Sequence, residues 1–261
     1  MFDLSRLPIW VIGVVIVGGF VVFSCGGLLL YRRITHGRLN LPEDMNNDVI
    51  FFASAISVFY SLTVGLIAVG VWTNYAEMQT TTAQESASMA ALYRDVDNFP
   101  EPQRTELTQG LTDYMEFVID QEWPAQYIGE LIDGGTKMLG NFEQGLYDFE
   151  PQTDGQANVH AEALQEYNEM ITLRRERIDG VEGSLPGIMW AIVLIGAALS
   201  ISVTYLLKIQ FGVHIVLTAF LAAFIGLVVF TVYGLDRPLS GPLAIGPEDY
   251  RLILERLMLL R

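Results

Sequence analysis

Ser54, Ser57 and Ser61 recur at three- and four-residue spacing in an otherwise apolar stretch and are continued by Gly65 and Ala68. If the stretch is helical, one face is small and hydroxylated while the rest is bulky. Hydroxyls on such a face can replace part of an ion's water shell along a hydrated path. Their plainer use is to bond to their own helix or to neighbours in a bundle. A second group, Glu85, Glu122, Arg174 and Arg177, lies in the acidic part of the chain. An arginine buried in an acidic helical bundle needs carboxylates beside it, so these four are expected to form a structural ion-pair network. An anion site built from the two arginines is the functional alternative. Asp236 and Arg237 stand where the chain leaves its last apolar segment. They are expected to pair with each other or across subunits, or simply to mark a helix stop.

Catalytic constellations are missing. There is no nucleophile elbow, no H-E-x-x-H, no phosphate loop and no C-x-x-C. His36, His160 and His214 lie on three different parts of the chain, and Cys25 is the single cysteine. Neither a histidine-rich metal site nor an intramolecular disulfide is therefore expected. No enzyme activity, cofactor or metal site is predicted. His214, at the end of an apolar run, reads as an interfacial anchor, with a pH-sensing role as the alternative.

The elements that must position these residues are set by hydropathy. The chain has 261 residues, 51% of them hydrophobic, and a mean hydropathy of +0.36, ordinary for a polytopic membrane protein. Four runs free of Asp, Glu, Lys and Arg cover residues 9–31, 50–72, 188–207 and 213–233. At about 1.5 Å per residue each can cross a hydrocarbon core of roughly 30 Å. The lack of a mid-span acid or base weighs against a proton-coupled pump or transporter. The second run turns polar at Thr73 but meets no Pro or Gly until Pro100. One long helix should therefore span the bilayer and rise out of it. Gly18-Gly19 and Gly26-Gly27 in span one predict close helix approach. The same holds for Gly196, Ser200 and Thr204 in span three and for His214, Thr218, Ala222 and Gly226 in span four.

The fold class that follows is all-α: a transmembrane hairpin over 1–74, an acidic helical extramembrane domain over 75–185, a second transmembrane hairpin over 186–235, and a C-terminal segment over 236–261. In the insert, Leu107, Leu111, Tyr114 and Val118 predict a helix ending at Trp123-Pro124. Tyr127, Ile128, Leu131 and Ile132 predict a shorter one closed by Gly134-Gly135. A glycine-rich loop is expected over 140–158, then a final helix from Val159. Tyr250, Ile253, Leu254, Leu257 and Leu260 share the apolar side of a terminal amphipathic helix. That helix must dock on the membrane surface, on the bundle or on a neighbouring subunit.

Formal net charge is −15, and residues 75–185 alone hold 22 Asp and Glu against 6 Lys and Arg. An insert this acidic repels nucleic acid, which is excluded as a partner, and concentrates cations. Arg32, Arg33 and Arg38 sit in the short loop between the first two spans. Short arginine-rich loops stay cytoplasmic, which places the acidic domain outside the cytoplasm of a bacterial inner-membrane, multi-pass protein. Lys208, between spans three and four, agrees. Arg174, Arg175 and Arg177 pull the other way, but their segment is long, and long segments cross largely regardless of charge.

Taken in order along the chain, one succession of residues resembles a known family. It comprises SVFYSLTVGLIAVGVW with Glu85 and Ala90-Ala91-Leu92-Tyr93, then Tyr114, Glu122-Trp123, Arg174 and Arg177-Ile178. It continues with Leu185-Pro186, Trp190, and Leu235-Asp236-Arg237-Pro238 through Gly241. The set is similar to the bacterial bestrophin-like domain family, whose name implies a distant likeness to bestrophins. Those are pentameric ion channels with the second span lining the pore, apolar constrictions in its neck and a cytosolic helical domain. The resemblance implies Phe51 and Phe52 as neck candidates beside Ser54, Ser57, Ser61 and Gly65. A cytosolic domain conflicts with the arginine-rich loop, so either this group is inverted or the likeness is one of architecture. The leading expectation is a homo-oligomeric ion-conducting pore in the lipid bilayer, with inorganic ions as its ligands. The alternative is a membrane-anchored sensor or scaffold whose acidic domain binds a partner protein or divalent cations.

Overall fold

The computed structural model describes residues 8–35, 45–241 and 243–258. Among these residues the protein is built of α-helices and has no strand. By their contacts the residues divide into two compact units, Met1–Thr73 with Ser184–Asp236, and Asn74–Gly183 with Arg237–Arg261.

The first unit holds α1 (Ile9–Thr35), the start of α2 (Met45–Val96), α7 (Gly187–Thr204) and α8 (Phe211–Leu235), and these are the four helices long and apolar enough to cross a membrane. The protein is a polytopic all-α membrane protein of four spanning helices. α1 packs most extensively on α8. His214, Thr218, Ala222 and Gly226, spaced one turn apart, are all buried on α8, as a stripe of small residues between packed spans requires. A Cβ at Gly226 would stand 3.0 Å from Val17 Cα and 3.3 Å from Phe20 Cβ. Gly226→Leu is therefore expected to push α1 off α8 at a cost of about 1–3 kcal/mol. The readout is the melting temperature of the purified protein, and an unchanged melt would contradict this packing.

The paired glycines of α1 behave differently from expectation. Gly27 does allow close approach, since a Cβ there would lie 2.7 Å from Tyr205 Oη, but Gly18, Gly19 and Gly26 have nothing within 4 Å. The other close approach on α1 is at Gly13, against the Phe230 ring. His214 also departs from an interfacial anchor, being 1% exposed.

The second unit is a helical bundle. Its helices are the rest of α2, α3 (Gln103–Phe117), a π-helical turn (Val118–Glu122), α4 (Trp123–Tyr127), α5 (Gly134–Tyr147), α6 (Asp154–Glu182) and α9 (Glu248–Met258). α2 reaches 52 residues because nothing after Gly70 interrupts it. Its far half contributes Met89, Leu92, Tyr93 and Val96 to a core completed by Leu111 and Met115, Leu146, Met170, Leu239 and Tyr250.

Four local expectations are corrected. The α3 helix does not end at Trp123-Pro124, because Pro124 falls in the first turn of α4, where the missing N–H costs nothing. Of the helix expected over Tyr127–Ile132, Tyr127 is the last residue of α4 and the rest is a turn and loop that leaves Ile128 and Leu131 exposed. The glycine-rich stretch expected as a loop over 140–158 starts inside α5 and ends inside α6, with only 148–153 outside a helix, and Gly134-Gly135 open α5 rather than close a helix. Burial of Leu139, Phe142 and Leu146 on one face of α5 offsets the glycines' entropy cost. The following helix, α6, starts at Asp154, five residues earlier than expected, with Thr153 Oγ1 accepting from Gln156 N–H as its cap. The terminal helix docks on the bundle, where Tyr250 and Leu257 are buried; Leu260 lies outside the described residues.

Candidate functional site

α2 packs within the first unit through Val49, Val64, Ile67 and Val71. Beside that buried stripe lie Ser54, Ser57, Ser61 and Gly65, all exposed, and beyond them the bulky Phe59, Leu62 and Leu66, also exposed. The small face is thus left uncovered by the chain's own helices. Ser54 Oγ donates to Ile50 O at 2.7 Å and Ser61 Oγ to Val58 O at 2.9 Å. This satisfies each hydroxyl hydrogen and leaves the oxygen lone pairs facing outward, where they can accept from water or meet a cation. Phe51 and Phe52 form an edge-to-face pair with centroids 5.7 Å apart, and both are exposed. Helical geometry sets Phe51 at the flank of the serine face and turns Phe52 nearly to the other side of the helix. The two therefore do not share one face of the helix with the serines.

In the second unit the four charged residues come together. Arg177, fully buried, donates from Nε to Glu85 Oε2 at 2.7 Å and from Nη2 to Glu85 Oε1 at 3.1 Å. Its Nη2 also donates to Glu122 Oε1 at 2.9 Å, and Nη1 to Gln126 Oε1 at 2.9 Å. Arg174 donates from Nε to Tyr114 Oη at 2.8 Å and from Nη2 to Glu122 Oε2 at 3.3 Å. Burial works against the Arg177 charge, but the Glu85 carboxylate outweighs it and holds the guanidinium well above its usual range. Burial, helped by Glu85, pushes the Tyr114 phenol up, so it stays protonated. Two arginines facing two glutamates use up their charge on each other, which leaves no free cation here for an anion.

Local structure explains how the network assembles. In a regular α-helix Glu122 would fall about 80° round from Tyr114, and the wider i→i+5 turn at Val118–Glu122 removes that offset. Gly135 lets α5 close over the pair, since a Cβ there would stand 2.7 Å from Glu122 Oε2 and 2.9 Å from Arg174 Nη2. Gln126, Gly135 and Tyr250 were not legible as members. Gln126 sits one turn from Glu122 and donates to it at 3.2 Å, a spacing that could have flagged it. Tyr250 is buried against Glu85, and burial together with that carboxylate pushes its phenol well up; its ring lies 5.9 Å from the Arg177 guanidinium. Trp123 lies 5.0 Å from the guanidinium on another side, and its Nε1–H donates to Ile245 O at 2.9 Å.

Asp236 departs from the expected pairing with Arg237. Its Oδ1 accepts from Leu185 N–H at 2.6 Å and its Oδ2 from Trp190 Nε1–H at 3.2 Å, so it ties the end of α8 to the start of α7. No ion pair of Arg237 is found among the described residues. Nor, among those residues, do three or more His, Cys, Asp or Glu converge as metal ligands.

Residues 18–250 match the Bestrophin-like domain. The chain belongs to the bestrophin-like domain family. A search of curated protein sequences gives no match. Solved structures with this fold include three single-substitution variants of a membrane protein. Two are described as a bacterial bestrophin homolog from Klebsiella pneumoniae, at TM-score 0.70 with 9% and 10% identity, covering 94% of this chain and 97% of theirs. A third from the same organism has TM-score 0.66 and 11% identity, over 94% and 96%. At these identities the likeness is one of fold, and the bestrophin-like architecture is shared from end to end.

Proposed function

We propose that this bestrophin-like protein assembles as a homo-oligomeric ion-conducting pore in the bacterial inner membrane, with the serine face of α2 lining the path. The observation that carries this reading is the exposed small face of Ser54, Ser57, Ser61 and Gly65 beside a packed stripe on the same helix. A serine face buried between spans of one chain would have favoured an anchored sensor or scaffold instead. Family membership and fold support the pore, since bestrophins are channels lined by their second span. The acidic unit would concentrate cations, and burial and the neighbouring acids Glu162 and Glu169 push the Asp95 and Glu166 carboxyls up. We assign the acidic unit to the extracytoplasmic side from the arginine-rich loop.

The test is thiol accessibility in reconstituted protein carrying Cys25→Ser. Ser57→Cys is expected to react with a membrane-impermeant thiol reagent, and Leu66→Cys, 75% exposed on the bulky side of α2, to remain unlabelled in lipid. Equal protection of both would place the serine face in lipid and contradict the proposal.

A further inference from the structure

At one end of the first unit lies a pocket of about 430 Å³ whose lining includes Tyr31, Arg32, Thr35, Tyr205 and Lys208. Arg32 donates from Nη2 to Ile209 O at 3.0 Å and to His214 Nδ1 at 2.9 Å. His214 Nε2 lies 3.0 Å from Thr204 O. A carbonyl only accepts, so Nε2 carries the proton and Nδ1 offers a lone pair, and the imidazole is neutral. These contacts aim the guanidinium without neutralising it. Lys208 is held by its backbone, its N–H donating to Asn46 Oδ1 at 2.9 Å and its carbonyl accepting from Asn46 Nδ2 at 3.1 Å, with its side chain exposed. Among the described residues no carboxylate pairs with either cation. α8 opens beside them without a side-chain cap, which adds the positive end of its dipole. Two cations without a carboxylate partner among the described residues, with N–H groups nearby, match the oxygens of a phosphate.

Depth and a second cavity give the source of that phosphate. From Ile9 to Arg32, α1 runs about 35 Å, slightly more than the ~30 Å hydrocarbon core, so the pocket stands at headgroup level. An almost wholly apolar groove of about 480 Å³ between α1, α7 and α8 adjoins it and shares Tyr205 with it. The groove follows α1 from Ser24 to Val15, about 14 Å, and α7 from Tyr205 to Trp190, about 22 Å, so it starts below the pocket and runs past the middle of the span. Tyr205 lies across α1 at Gly27, with Oη donating to Ser24 O at 2.7 Å, and so separates the polar pocket from the apolar groove. Space at Gly19, where a Cβ would meet nothing within 4 Å, keeps the groove open.

We propose that this paired cavity binds one anionic phospholipid, its phosphate beside Arg32 and Lys208 and an acyl chain in the groove. A second copy of the chain could cover the groove but brings no phosphate, and free phosphate would leave the groove empty. The test is thermal melting and native mass spectrometry of the full chain in neutral detergent, titrated with phosphatidylglycerol, phosphatidylcholine or inorganic phosphate. Phosphatidylglycerol is expected to remain bound and to raise the melting temperature by several degrees at concentrations where the other two do not. Lys208→Glu is expected to weaken phosphatidylglycerol at least fivefold without lowering the lipid-free melt. Ser202→Trp, at an exposed position in the groove wall, should weaken it as much without touching the phosphate partners. Equal effects of the two lipids, a full effect from inorganic phosphate, or wild-type affinity in both variants would overturn the proposal. So would a lipid-free oligomer that Ser202→Trp dissociates, which would assign the groove to a neighbouring copy.

Discussion

Arg177→Met is expected to destabilise the helical unit by about 3–5 kcal/mol, the cost of removing one partner from a buried ion pair. Arg177 and Glu85 are both fully buried, and the guanidinium supplies two of its bonds to Glu85, one to Glu122 and one to Gln126. Methionine fills most of the volume, so the loss is electrostatic: Glu85 keeps no cation among the described residues, whereas Glu122 keeps Arg174. That difference gives a control. Glu85→Leu combined with Arg177→Met removes both unpaired charges and should recover much of the loss, because apolar replacement of a buried pair is often nearly neutral. Chemical or thermal denaturation of the purified protein reads both. A single variant as stable as the wild type, or a double variant no better than the single, would show that the pair does not hold the bundle as described.

Ser57→Trp and Ser61→Trp are each expected to lower ionic current by more than tenfold at matched assembly. In an oligomer closed around an axis, one substitution places a ring of indoles at a single level of the path. The small serines leave room for hydrated ions, and tryptophans at the same level remove both the room and the outward hydroxyl oxygens. Tryptophan at Phe59, which is 72% exposed on the bulky side of α2, should leave current within a factor of two. Equal currents in all three variants would take the serine face off the ion path.

The spans and the charged network were legible in the sequence for different reasons. Charge-free runs bound α1, α7 and α8 to within a few residues and mark the apolar part of α2, because lipid tolerates little else. The stripe from His214 to Gly226 was legible from its spacing, as tight packing of spans demands small residues on a fixed face. Gly18, Gly19 and Gly26 carry the same signal without the same use, since one sequence cannot say whether space beside a glycine holds a helix or a groove. In the bundle, Gly134-Gly135 gave a helix stop, and Gly140 and Gly145 a loop signal, where α5 stands, because burial of Leu139, Phe142 and Leu146 overrides propensity. Glu122 was grouped with the arginines by charge logic alone. The π-helical turn that aims it at them, and the approach of Tyr250 from the far end of the chain, are tertiary facts with no local sequence mark. Asp236 was read by its neighbour's charge, whereas its N–H partners, Leu185 and Trp190, lie 51 and 46 residues away.

The central claim is conduction along α2, and planar-bilayer recording from the purified, reconstituted protein under a potassium chloride gradient tests it most directly. The account predicts a measurable current whose reversal potential is displaced toward that of potassium, as a strongly acidic domain raises the local concentration of cations. No current across a range of pH and divalent ions, from protein shown to be folded and oligomeric, would contradict it.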